Sequence, residues 1–121
     1  MTVPTGDDHE DLQLEELRSR VRRLDETIVA LIAERTYQCL RIGKHKLRNG
    51  LLVRSPRVEA RVISNAREVA VTCGLKPEIA ESILRILIEH SVAVQLEQSV
   101  VAGREQQSSE AKEPDGGLLD R

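Results

Sequence analysis

Arg35 and Lys46 are cations placed where apolar side chains belong. From Leu14 a stripe of apolar residues runs through Leu17, Val21, Leu24, Ile28 and Leu31 in steps of three and four, the spacing of one helix face. The next stations are Arg35 and Gln38; the stripe resumes at Ile42 and meets Lys46 one turn later. A charge on a buried face costs on the order of several kcal/mol unless an anion meets it. Along a helix the two cations stand about 16 Å apart, at about 1.5 Å per residue. Such a pair suggests a pocket for an anionic ligand inside a helical bundle. Glu59, Ser91 and Gln95 also fall on or beside apolar faces. Each of these groups alone has an ordinary structural explanation. An Arg at a core position can snorkel or form an interhelical ion pair, and a buried Gln can set register. A small Ser is tolerated in a core, and a first-turn Glu complements the helix dipole. The combination weighs more, because all three predicted helices turn polar groups inward and the cations are concentrated on the first.

The elements that position these residues are three helices. The first is predicted over residues 12–48, far longer than an average helix, and is closed by Asn49-Gly50, where Gly tolerates a left-handed C-cap. Ser55-Pro56 opens the second with a hydroxyl N-cap and a proline at the first helical position. Val58, Val62, Ala66 and Val69 or Ala70 form its inner face, and Cys73-Gly74 ends it. Leu75-Lys76-Pro77 starts the third, whose inner face runs Leu84, Ile88, Ser91, Gln95. Residues 1–11 read as a flexible leader, 12–100 as the helical domain, and 101–121 as a polar tail with too few apolar groups to offset ordering. Three helices with one very long member do not easily close a core alone. The expected architecture is therefore all-α, a three-helix protomer in an intertwined homodimer. Arg18 and Arg35 lie 17 residues apart, about 25 Å along one helix. They cannot hold one small ligand within a chain, so an Arg18 that serves a pocket serves the other subunit's.

Composition narrows the function classes. With 18 basic against 20 acidic residues there is no basic excess to coat a nucleic acid, and with Tyr37 the only aromatic there is no stacking platform for single strands. No apolar run approaches the length that spans a bilayer. The polar, acidic start is unlike a signal peptide, and a cytoplasmic protein is the default expectation. Cys39 and Cys73 lack metal-ligand spacing and are expected to be reduced thiols. No glycine-rich nucleotide loop occurs.

The pattern Leu17-Arg18, Leu24-Asp25, Glu34-Arg35, Gly43-Lys44-His45-Lys46, Val53-Arg54, Glu59, Gly74-Leu75 and Glu89-His90-Ser91 with Gln95 resembles the all-helical (type II) chorismate mutases over residues 14–98. The resemblance implies a dimer of three-helix protomers with two equivalent sites and no cofactor. It implies that Arg35, with Arg18 of the partner subunit, clamps the two carboxylates of chorismate. Lys46 and Gln95 would hydrogen-bond the enol ether oxygen, Glu59 would accept from the ring hydroxyl, and Ser91 would support the ring carboxylate. A Claisen rearrangement needs no acid, base or nucleophile from the protein. It needs a flexible dianion held in a compact chair-like conformer and charge stabilised as it builds on the ether oxygen.

The resemblance breaks at the start of the second helix. Where those mutases often read Val-Arg-Asp-Pro-x-Arg-Glu, this chain reads Val53-Arg54-Ser55-Pro56-Arg57-Val58-Glu59. Ser55 can still cap the helix and leave its backbone N–H toward the pocket, but Val58 removes a cation near the ring. Two readings follow: a chorismate mutase with weaker electrostatics, or a mutase acting on 4-amino-4-deoxychorismate, whose ring ammonium suits a kept Glu59 and a lost Arg. An isochorismate-pyruvate lyase would be expected to carry an apolar residue at position 59. A non-catalytic helical dimer module would have no reason to combine Arg18, Arg35, Lys46 and Gln95.

Overall fold

The computed structural model describes residues 6–112. It contains three helices, α1 (Gly6–Arg48), α2 (Pro56–Cys73) and α3 (Pro77–Lys112), and no strand among the described residues. The expected all-α protomer with one very long first helix is present. Two boundaries differ from expectation. Helix α1 starts at Gly6 rather than at residue 12, and α3 continues to Lys112 rather than ending near residue 100. Both extensions are polar but rich in good helix formers. Acidic residues crowd the N-terminal turns of α1, where the helix dipole favours them, and Glu, Gln, Ala and Lys dominate the end of α3, which meets no proline before Pro114. The rest of the expected leader and tail, residues 1–5 and 113–121, lies outside the described residues.

The chain forms two compact units, one ending at Arg35 and one starting at Thr36. In the first, the predicted stripe exists as a helix face but is not buried: Leu14, Leu17, Val21, Leu24, Ile28 and Leu31 are all exposed, from 44% to 63%. Its charged flank is held by short-range ion pairs, Arg18 to Glu15 at 2.9 Å and Arg20 to Glu16 at 2.8 Å. Exposed pairs of this kind add only a few tenths of a kcal/mol, roughly, to a helix.

In the second unit α2 packs on α3. The small residues Ala70 and Ala80 are buried with Ile63 and Ile88, and Gln95 is the one buried polar residue among those described. Arg67 of α2 reaches Glu81 of α3 at 3.0 Å, tying the two helices together, and Arg85 holds the same carboxylate from within α3 at 3.0 Å. The local signals read from the sequence operate as expected. Ser55 accepts from the Val58 N–H at the start of α2, ahead of Pro56. Gly50 (φ 63°) and Gly74 (φ 75°) end α1 and α2 in the left-handed conformation. Each end closes as a Schellman motif: Leu51 N–H to Lys46 O and Gly50 N–H to Leu47 O at the first, Leu75 N–H to Ala70 O and Gly74 N–H to Val71 O at the second. A Cβ at either glycine meets nothing, so the penalty there is purely backbone strain. Gly50→Ala and Gly74→Ala are each expected to lower stability by about 1 kcal/mol, read by urea denaturation with an unchanged m-value.

Candidate active site

Lys46 sits in the last turn of α1, half-buried. Its ammonium donates to the Val53 carbonyl in the α1–α2 loop and, at 3.3 Å, to Oε1 of Gln95 on α3. Gln95 is only 5% exposed. Its Nε2 donates to the Cys39 carbonyl of α1 at 2.8 Å. The amide is thus held at both ends by α1, its oxygen on the cation and one of its two hydrogens on backbone. An ammonium and a buried amide meet where two helices and a loop converge, without a carboxylate between them.

Ser91, one turn before Gln95, donates to the Leu87 carbonyl at 2.8 Å and lies 3.3 Å from the thiol of Cys39. Neither Cys39 nor Cys73 is joined in a disulfide. Across the α1–α2 loop, Arg54 forms a two-armed bridge. One guanidinium nitrogen lies 2.7 Å from Glu59 Oε1 and 2.6 Å from Glu89 Oε1, with longer second contacts to each carboxylate. The Arg54 hydrogen bond holds the Glu59 carboxyl below the usual Glu range; desolvation opposes this, while the charges of Arg54 and Lys46 and the Ser55 backbone N–H add to it. The same two carboxylates raise the affinity of Arg54 for its proton. Lys46 and Glu59 are therefore within electrostatic reach of one another.

A depressed folded-state value means that the Glu59–Arg54 contribution is fully present above the unfolded Glu value, about 4.3, and is lost as pH falls through the lower folded value. In an NMR titration the Glu59 carboxyl carbon is expected to titrate below the ordinary Glu range and to return to it in Arg54→Met. A normal midpoint in the unmodified protein would contradict the bridge.

Of the residues singled out from the sequence, Lys46, Ser55, Glu59, Ser91 and Gln95 lie together in the second unit, with Val58 exposed on the first turn of α2. Arg18 and Arg35 lie in the first unit. Arg18 is exposed and paired with Glu15; Arg35 is half-buried. Arg54, Glu89 and Cys39 carry no role in the expectations drawn from the sequence, although Arg54 and Glu89 belong to the family pattern and Cys39 stands one helical turn after Arg35.

Among the described residues no helix is long and apolar enough to cross a membrane, and no group of side chains is arranged to hold a metal ion. Comparison with known proteins gives consistent results. The chain is 29% identical over 79 residues to the T-protein of Enterobacter agglomerans and 30% identical over 80 residues to that of Haemophilus influenzae. These alignments cover 65% and 66% of this chain but only 21% of each T-protein. It is 29% identical over 83 residues to the chorismate mutase of Methanocaldococcus jannaschii, covering 69% of this chain and 84% of that protein. The sequence model of the chorismate mutase type II family matches residues 17–96, which include every site residue named above. The chain belongs to the chorismate mutase type II family.

Proposed function

We propose that the protein is an isomerase that rearranges chorismate to prephenate, working as a homodimer with two shared sites and no cofactor. The observation that carries this reading is the Lys46–Gln95 pair, a cation and a 5% exposed amide held together at 3.3 Å. A cation in so sheltered a place suits charge that appears only as the ether bond breaks, because it is worth more there than in water and needs no reorganisation. Lys46 would donate to the ether oxygen, and Gln95 would donate the Nε2 hydrogen that the Cys39 carbonyl does not take. Arg35 and Arg18 of the partner subunit would hold the two carboxylates, each as a bidentate fork. Ser91 would support the ring carboxylate. Ser55 would present its backbone N–H, and Glu59 would accept from the ring hydroxyl. With bound substrate positioned this way, the enzyme lowers the entropy cost of reaching the chair conformer and then stabilises the charge that develops.

The exposed stripe on the first unit supports the dimer. Six large apolar residues in one row on a helix face form a contiguous apolar surface of the kind that marks an interaction site, and the stripe's three-and-four spacing is that of a helix seam. The expected intertwined arrangement would cover it with a second copy and carry Arg18 to the partner's pocket. Size-exclusion chromatography with light scattering is expected to give twice the 13.5 kDa chain mass. Charge placed on the stripe, as Leu24→Glu, is expected to shift that mass toward the monomer. A wild-type protein that is monomeric at micromolar concentration would remove the dimer.

A second reading, 4-amino-4-deoxychorismate as the substrate, is favoured by one observation. Glu59 and Glu89 bring two carboxylates to a single guanidinium, that of Arg54, and Val58 adds no cation on the neighbouring turn. Two carboxylates on one guanidinium, with Lys46 also within reach of Glu59, would suit a ring ammonium better than a further cation at position 58 would. Val58→Arg would test it: an enzyme selected for the amino substrate is expected to lose preference for it, and one built for chorismate to gain rate.

A further inference from the structure

Gly43 is the buried glycine of α1, and the space its missing side chain leaves is occupied. A Cβ there would stand 2.1 Å from Oε1 of Gln98 and 3.0 Å from Cγ of Gln95. The amide oxygen thus occupies the side of the glycine on which any other residue would carry its Cβ. Gln98 Oε1 is buried and has no ordinary hydrogen-bond partner. The other end of the same amide donates to the Leu40 carbonyl at 3.0 Å. Turning the amide over would set oxygen against the Leu40 oxygen, so its orientation is fixed. Three residues earlier on α3, Gln95 donates to the Cys39 carbonyl. Two glutamines of α3 thus grip consecutive carbonyls of α1, with Gly43 beneath them, and Lys46 follows Gly43 by less than one turn.

We propose that Gln98, seated over Gly43, is a positioning residue that fixes the register of the end of α1 against α3, so that Lys46 and Gln95 present their polar groups to the same reacting oxygen. This rests on the site reading above. Gln98 touches no reacting group; it acts through the Leu40 carbonyl. A shift of even one ångström along the helix would move Lys46 relative to Gln95, and displacements of that size cost up to about a hundredfold in rate. The oxygen that lacks an ordinary partner is the consequence of packing the amide over a glycine.

The test is a cycle of Gln98→Met, Gly43→Ala and the double variant Gly43→Ala/Gln98→Ala, with Gln98→Ala as its corner and Gln95→Met as a control. Methionine nearly matches glutamine in shape and keeps the packing but cannot donate to Leu40 O. If Gln98 merely fills space, Gln98→Met keeps wild-type kcat and gains thermal stability, because an unpaired buried oxygen is gone. The register role predicts a fall in kcat of about tenfold with KM within about twofold. Gly43→Ala is expected to expel Gln98 and lower kcat at least as far. In the Gln98→Ala background the same change is expected to lower kcat less than it does alone, because the oxygen it would strike is absent and only the close fit to Gln95 Cγ at 3.0 Å remains. Wild-type kcat in Gln98→Met, or fully additive effects in the cycle, would overturn the proposal. Gln95→Met separates the two levels: turnover kept there removes the site reading itself, whereas turnover lost there but kept in Gln98→Met removes only the register role.

Discussion

Lys46→Met is expected to lower kcat/KM for the rearrangement by about a thousandfold or more, with circular dichroism close to wild type and a modestly lowered melting temperature. Loss of one preorganised donor to a developing oxyanion typically costs a hundredfold to a thousandfold, roughly, and a charged donor sits at the upper end. The variant is informative because Lys46 forms no ion pair among the described residues, and Glu59, which feels its charge, keeps Arg54. Its contacts are the Val53 carbonyl and the Gln95 amide. Methionine retains the length of the stem, so the variant loses the cation and its two hydrogen bonds while the helices keep their packing. Arg35→Ala is expected to abolish turnover as well, chiefly through substrate binding. A purely structural role would predict instead that neutral residues at 35 and 46 leave function unchanged and raise stability. Steady-state kinetics beside a denaturation curve separate these outcomes. A Lys46→Met protein that turns over within tenfold of wild type would contradict the electrostatic account.

Mixing inactive chains is expected to restore activity. An Arg18→Ala chain and an Arg35→Ala chain, exchanged to equilibrium in equal amounts, should form mixed dimers in about half the population. Each mixed dimer has one pocket with Arg35 and Arg18 of the partner subunit both intact, and one pocket lacking both. About a quarter of wild-type activity should therefore return from two preparations that are each nearly inactive. Both arginines belong to α1, 17 residues apart, too far along one helix to grip one small dianion. Subunit exchange can be followed independently with a mass tag. Exchange without recovery would mean that Arg18 serves no shared site, and its pairing with Glu15 would then be its whole role.

Features encoded within a few residues were legible in the sequence. Ser55-Pro56, Asn49-Gly50 and Cys73-Gly74 each fix a helix end by local chemistry, and each end lies where those residues place it. The periodic stripe announced α1, and the polar residues interrupting the periodicity announced Lys46, Ser91 and Gln95. Helix ends without a cap signal were misplaced. Nothing at position 12 starts a helix and nothing at 100 stops one, so α1 and α3 run on through polar residues of high helix propensity. Contacts that depend on how helices meet were not legible. Arg54 and Glu89 are 35 residues apart in sequence and 2.6 Å apart in space. Gln98 reads as one more polar residue near the end of a helix until Gly43 is seen beneath it. The same holds for Gln95: its burial was expected, but its grip on the Cys39 carbonyl requires both helices in place.

The decisive experiment supplies the purified chain with chorismate and 4-amino-4-deoxychorismate in parallel and identifies the products by mass spectrometry. At least one is expected to be converted to an isomer of unchanged mass, prephenate or its amino counterpart, without added metal or cofactor. Release of pyruvate, or no consumption of either compound by a folded dimer, would contradict the proposed rearrangement.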